Sequence, residues 1–269
     1  MMTGHRSMPE KPLPGQSRRE IVVLAVALDS VPEPAWPELE VLLDASERQR
    51  AARFHLERHR RQYVAAHALK RMMLSAMTGA CPRSWSFELA PGGKPRVRPE
   101  PGPYFNLSHC DGLVACAVSR DLDIGVDVEP LSPDAPLALV QSHFAAAERR
   151  WLDGLPATDR PEGFFALWTL KEAFLKATGY GLAQPLHRFA VDVDRLGVAF
   201  DDPLLGDPAA WHFAQYRVNA QHILGLAWLG ADAGILSGMA PAQVLLDRSA
   251  AGLTGFEGLV AYRDELPCA

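Results

Sequence analysis

The segment Asp123-Ile-Gly-Val-Asp-Val-Glu129 sets two carboxylates two residues apart among strand-forming residues. Alternate side chains of an extended chain share a face, so Asp127 and Glu129 project together beside Gly125, while Ile124, Val126 and Val128 turn the other way into a core. Ionised carboxylates at that spacing repel unless a cation or a proton lies between them, and such a hard oxygen pair suits Mg2+ with phosphate oxygens in its shell. A solvated strand edge and the acid pair of a glycosidase are the alternatives. The second is disfavoured because the accompanying motifs are lysines and arginines rather than sugar-stacking aromatics.

A second motif is Trp168-Thr-Leu-Lys-Glu-Ala-Phe-Leu-Lys-Ala-Thr-Gly-Tyr-Gly-Leu182. Trp168, Glu172 and Lys176 stand at i, i+4 and i+8 and share one helical face, with Lys171 at its edge and Gly179 placed as a helix-ending residue. Glu172 in a cationic cluster is a general base held ionised by neighbouring ammonium groups that also neutralise phosphate. A plain exposed helix pair is the bland alternative. A third feature is the run from Arg48 to Arg71, with eight basic side chains and one acidic one, a local net of +7. It reads as a solvated helix face or as a landing site for a polyphosphate or an acidic protein. Nearby, Gly92-Gly-Lys-Pro95 puts Lys94 in a tight turn, and Asn106-Leu-Ser-His109 ends a strand on a hydroxyl and an imidazole. No GxxxxGK[ST] or GxGxxG loop is present.

Positioning these groups requires strands and helices in a definite order. Ile21 to Leu28 reads as a buried strand, Val31 to Pro37 as a connector, and Glu38 to about Thr78 as helical, stopped by Gly79 and Pro82. Strands are predicted near 85–89, 104–108, 113–119 and 123–129, helices over 145–152 and 162–178, and strands near 189–193, 211–218 and 222–229. The order gives an α+β chain of two similar α/β halves, 21–120 and 121–230, after a flexible leader, 1–20, and before an extension, 231–269, whose fold is not readable.

The 269 residues carry 27 Lys+Arg and 32 Asp+Glu, a formal charge of −5, which argues against a dedicated nucleic-acid or membrane-surface binder. At 48% apolar and 22% charged the composition is globular, which excludes wholesale disorder. Four cysteines without a CxxC pair, and no HExxH, read as free thiols in a reducing compartment. With no apolar run of membrane-span length, the expectation is a soluble cytoplasmic protein.

Taken together, Phe105-Asn-Leu-Ser-His109, Gly125-Val-Asp-Val-Glu129 and Trp168-Thr-Leu-Lys-Glu-Ala173 with Lys176 and Gly179-Tyr-Gly-Leu182 resemble the motif series of 4′-phosphopantetheinyl transferases of the surfactin-synthetase type. The resemblance spans roughly Leu42 to Trp228, and its specificity lies in GxDxE followed about forty residues later by WxxKEAxxK. It implies a monomeric pseudo-dimer with coenzyme A and Mg2+ between the halves. It also implies transfer of the phosphopantetheine arm to a serine of an apo acyl, peptidyl or aryl carrier protein, with release of adenosine 3′,5′-bisphosphate, in peptide or polyketide secondary metabolism. On this resemblance Asp127, Glu129 and Glu148 are metal ligands, Glu172 is the base, and Lys176 meets the pyrophosphate. Lys171 shares that signature as a coenzyme contact, Ser108 and His109 meet the phosphates, and Lys94 meets the adenine side. Arg61, with Arg60 as rival, holds the 3′-phosphate, and Arg48, Arg50 or Arg53 supply further contacts. No nucleic-acid or membrane partner is implied. A non-catalytic coenzyme A-binding module of the same fold is the alternative.

Overall fold

The computed structural model describes residues 19–181 and 184–239; Leu182, Cys268, most of the leader and the tail beyond 239 lie outside the described residues. The first set of elements is β1 (Glu20–Ala27), α1 (Trp36–Leu42), α2 (Ala45–Ala51), α3 (Glu57–Thr78), β2 (Ser86–Leu89), β3 (Pro95–Arg98), β4 (Tyr104–Cys110) and β5 (Leu113–Ser119). The second is β6 (Ile124–Pro130), α4 (Val140–His143), α5 (Ala146–Gly154), α6 (Arg160–Thr178), β7 (Phe189–Asp192), β8 (Gly197–Phe200), β9 (Trp211–Asn219) and β10 (His222–Leu229), followed by β11 (Gly234–Met239). No described helix is long and apolar enough to cross a membrane.

The chain is α+β, and its element order runs twice. One sheet has the order β11-β1-β5-β4 and another β6-β10-β9, so each opening strand pairs with the last long strand of its set, which pairs in turn with the strand before it. β11, from the segment whose fold the sequence left unread, pairs parallel with β1 and so returns the chain to the first sheet.

Strand alternation explains the layering. Val22, Leu24 and Val26 of β1 and Val114, Cys116 and Val118 of β5 face α3 (Leu69, Met72, Met73) in one core. Their neighbours Ile21, Val23, Ala25, Leu113, Ala115 and Ala117 face the second sheet, where Ile124, Val126, Val128, Leu224 and Leu226 meet them. On that sheet's far face lies α6, with Leu170 and Phe174 against Phe213 and Ala227. The result is helix, sheet, sheet, helix. β6, though at the edge of its sheet, is therefore buried from Ile124 to Val128, which removes the solvated-edge reading for Asp127, while Glu129 is half-buried.

The helical stretch expected from Glu38 to Thr78 is three helices. Asp44 is extended (ψ 176°) and caps α2, accepting the Glu47 N–H at 2.9 Å while the Glu47 carboxylate accepts the Asp44 N–H at 3.1 Å. That reciprocal pair starts a new helix where hydrophobic periodicity alone runs on.

Half of that device recurs in the second set, where the N-cap residue Ala145 has no side chain to reciprocate. Glu148, at the third position of α5, accepts the Ala145 N–H at 2.7 Å. Glu47 is bonded by Lys70 and Glu148 by Lys171, each pair 23 residues apart. Two buried Glu–Lys struts thus join the short helix of each set to its long one.

Candidate active site

The acidic strand and the long helix meet through glycine. A Cβ on Gly125 would collide with the Ala173 carbonyl, and one on Gly225, the cross-strand neighbour of Asp127, would collide with the Thr169 backbone. Without side chains there, α6 lies directly on β6 and β10. Eight residues of helix rise about 12 Å and two residues of strand about 6.6 Å, so the stripe from Trp168 to Lys176 brackets the Asp127 and Glu129 pair from both ends. Lys176 Nζ accordingly donates to Asp127 Oδ1 at 2.7 Å and the Trp168 indole N–H donates to the Glu129 carboxylate, with Glu172 between them along the helix.

The first set supplies the facing edge. Asn106 and Ser108 share one face of β4, and their side-chain oxygens accept the Val126 N–H (3.0 Å) and Val128 N–H (3.2 Å) of β6. Side chains thus replace a backbone ladder at the seam between the sheets. Ser108 Oγ also donates to Asp127 Oδ1 (2.8 Å) and accepts from Lys176 Nζ (3.0 Å). His109, the next residue, is exposed at the rim, with its pKa lowered by loss of solvent and then by the Lys176 ammonium.

Electrostatics mark the spot. Burial, then the Asp127 charge, pushes the Glu129 carboxyl up to about 7, and burial and Asp127 likewise raise Glu172. Asp127 Oδ2 is buried without a partner. Among the described residues no three His, Cys, Asp or Glu side chains converge on one metal position. The donor set nonetheless fits a hard divalent cation: an orphaned carboxylate oxygen, a second carboxylate beside it and a third close enough to repel both.

From Ser108, His109, Asp127 and Lys176 a cavity of 620 Å³ runs along the first set, past Tyr63, His67, Lys70, Phe87 and Leu89. It adjoins a 560 Å³ recess lined by Arg50, Arg53 and Phe54. Tyr63 stacks on His67 at 4.0 Å between centroids, and the Arg50 guanidinium lies 6.0 Å from the Tyr63 ring. Beneath this wall Glu47 accepts from His67 (2.8 Å), Lys70 (2.7 Å) and Arg71 (2.8 Å). Burial raises the Glu47 pKa, but the bonds from His67 and Lys70 outweigh it and hold the carboxyl well below the usual range.

Six of the expected residues are thus brought together: Ser108, His109, Asp127, Glu129, Glu172 and Lys176. Four are placed elsewhere. Glu148 is not beside Asp127 and Glu129: its carboxylate is wholly buried and accepts from Lys171 Nζ (2.6 and 2.8 Å), the Val191 N–H (2.7 Å) and the Ala145 N–H. Lys171 is equally buried and also donates to the Phe189 carbonyl, so it faces α5 and β7 rather than the cleft. Arg61 donates to both Glu33 oxygens (2.6 and 2.7 Å) over the Trp36 ring, and its rival Arg60 pairs with Glu40 and Glu57, so neither lines the cavity. Arg48 bonds the Leu43 carbonyl, leaving Arg50 and Arg53 as the cleft-lining arginines of the run. The ammonium of Lys94 is engaged inside the protein.

Tyr63, His67 and Glu47 were given no site role by the sequence, Lys70 only a share in the basic run, and Asn106 only a place in the Phe105–His109 motif. The signal for Asn106 was its i, i+2 relation to Ser108; that for Glu47 was the Asp44-x-x-Glu47 capping pattern.

The Glu148–Lys171 strut gives a first expected result. Lys171→Met or Glu148→Leu alone strands a buried charge and is expected to cost about 3–5 kcal/mol in urea unfolding, whereas the double variant recovers most of it. Unfolding midpoints unchanged in the single variants would rule the strut out.

A family model described as the 4′-phosphopantetheinyl transferase superfamily matches residues 123–227. The 4′-phosphopantetheinyl transferase HetI of Nostoc sp. is 35% identical over 187 residues, covering 68% of this chain and 78% of that protein. The 4′-phosphopantetheinyl transferase psf-1 of Bacillus pumilus is 33% identical over 162 residues, 60% of this chain and 69% of the relative. The 4′-phosphopantetheinyl transferase Sfp of Bacillus subtilis is 27% identical over 155 residues, 58% and 68% respectively.

Proposed function

Since this chain belongs to the 4′-phosphopantetheinyl transferase superfamily, we propose that its cleft moves the phosphopantetheine arm of coenzyme A onto a serine hydroxyl of an apo carrier protein, in a Mg2+-dependent reaction of peptide or polyketide secondary metabolism. The observation that carries this reading is the unpartnered, buried Asp127 Oδ2 beside Glu129 and Lys176, at the end of a long cavity with arginines at its other end.

In the reaction the serine oxygen attacks the phosphorus that bears the pantetheine arm. The anhydride P–O bond breaks, and adenosine 3′,5′-bisphosphate leaves with its electron pair. Glu172 accepts the serine proton as the new bond forms, so the hydroxyl need not ionise beforehand. Lys176 and His109 hold charge on the pyrophosphate oxygens, and Ser108 fixes the Asp127 carboxylate that Lys176 also touches. Asp127 and Glu129 are the residues that would hold Mg2+, with Glu172 bordering them. When bound, the ion supplies Lewis-acid neutralisation of the developing phosphate charge. Tyr63 and His67 present stacked rings to the coenzyme, and Arg50 and Arg53 replace Arg61 as the candidates for its 3′-phosphate.

Intact-mass measurement tests the reading: an apo carrier protein incubated with this protein, coenzyme A and Mg2+ should gain about 340 Da, the mass of one phosphopantetheine implied by the covalent transfer. No gain across a panel of apo acyl and peptidyl carriers under Mg2+ saturation would refute it. Arg50→Ala is expected to raise KM for coenzyme A by about tenfold, the scale of one charge-assisted contact, with much less effect on the 3′-dephospho analogue. Equal effects on both donors would place the 3′-phosphate elsewhere.

A further inference from the structure

Lys94 has the place of a clamp rather than of a ligand contact. It follows the Gly92-Gly93 turn between β2 and β3, and its side chain is buried. Its Nζ donates to the Asp123 carboxylate, to the Ile124 carbonyl at 2.8 Å and to the Ala177 carbonyl at 3.0 Å. Its three protons are taken by acceptors within the protein, and at 8% exposure, against 28% for the Lys176 side chain at the cleft, it has no open side from which to meet a base or a phosphate.

The backbone around it is equally committed. A Cβ on Gly92 would collide with the Gly179 carbonyl, and Gly179 (φ +73°) is the left-handed residue that ends α6. The hairpin turn of the first set therefore sits on the end of the helix carrying Glu172 and Lys176, and its lysine also reaches the start of the strand carrying Asp127 and Glu129. A cation at that carbonyl end also complements the helix dipole. The other long helix has a counterpart: Arg120 donates to the Met77 carbonyl, two residues before the left-handed Gly79, as Ala177 is two before Gly179.

We infer that Lys94 is a positioning residue: it clamps the end of α6 and the start of β6 to the first set and thereby fixes Lys176 and Glu172 against Ser108 and Asp127. The kinetic part of this inference rests on the transferase reading; the structural part does not.

Two measurements on Lys94→Met separate the clamp from an adenine contact. Hydrogen exchange in the free protein should accelerate by about tenfold or more at the amides of 90–94 and 176–181, because the contacts that hold those segments closed are lost. Transfer kinetics should show kcat/KM reduced by about 10- to 100-fold, chiefly in kcat and by the same factor for coenzyme A and for 1,N6-etheno-coenzyme A, whose adenine edge is blocked. Asp123→Asn keeps the ammonium and its two carbonyl acceptors and should shift both readouts the same way by less, which covers the case of a Lys94→Met protein that does not fold. Wild-type exchange rates in both variants, or a loss confined to KM for coenzyme A and absent with the etheno analogue, would overturn the clamp. Absence of transfer by the wild-type protein would instead fail the transferase reading, with the exchange measurement still deciding the clamp.

Discussion

Asp127→Asn is expected to lower kcat/KM for phosphopantetheine transfer by about 10³-fold or more, while the metal-free protein becomes no less stable than wild type. Neutralisation of phosphate charge at this position is worth several kcal/mol, and each 1.36 kcal/mol is tenfold in rate. Asparagine keeps the volume and leaves an oxygen for Ser108. It also removes the charge that, after burial, most raises Glu129. The sign of the pH effect follows. Glu129 has a folded-state pKa of about 7 against an ordinary 4.5, so its contribution to stability is full below about 4.5 and is lost as pH rises through about 7. Metal-free wild type should thus soften over that window, the variant should soften less, and Mg2+ should restore wild type by binding the folded form. Thermal unfolding between pH 4 and 8, with and without Mg2+, reads all three. A variant that keeps near-wild-type turnover, or keeps the Mg2+-induced rise in Tm, would defeat the assignment.

Glu172→Gln is expected to lower kcat by about 10²- to 10⁴-fold, the range for loss of a positioned base, with coenzyme A affinity nearly unchanged. In wild type the single-turnover rate should rise with pH through the upward-shifted pKa of Glu172, since the base acts only when ionised, and that limb should vanish in the variant. Titration calorimetry for coenzyme A and quenched-flow transfer to an apo carrier separate binding from chemistry. The Mg2+-induced rise in Tm should survive Glu172→Gln although it is lost in Asp127→Asn. Its loss in both would make Glu172 a metal ligand rather than the base.

The half-site on β6 and α6 was legible because two simple periods place it: alternation puts Asp127 and Glu129 on one strand face, and the four-residue spacing puts Trp168, Glu172 and Lys176 on one helix face. Lys171, set at the edge of that face, does not share its surroundings. Lys171 neighbours Glu172, but successive helical residues point about 100° apart. That rotation sends Lys171 to Glu148 and Phe189 while Glu172 looks into the cleft. Glu148 fell with it, since only tertiary packing reveals that its carboxylate is saturated by a lysine and two backbone N–H groups. The +7 run was readable as a charge, but not as a field: Glu33, Glu40, Asp44 and Glu47, all outside the run, neutralise Arg60, Arg61, Lys70 and Arg71. Non-local strands such as β11 carry too little pattern in six residues to be distinguished from a loop.

The pairing of β11 with β1 has a bearing on biosynthesis. β1 leaves the ribosome among the first described elements, and its parallel neighbour is the last of them to emerge. Through most of translation the Ile21-Val-Val-Leu-Ala-Val26 edge therefore has no partner on that side, and it is an apolar, β-branched edge of the kind that recruits other chains. Nascent chains stalled before Gly234 would carry that adhesive edge, so the yield of folded protein depends on how quickly the ribosome passes β10 and completes β11.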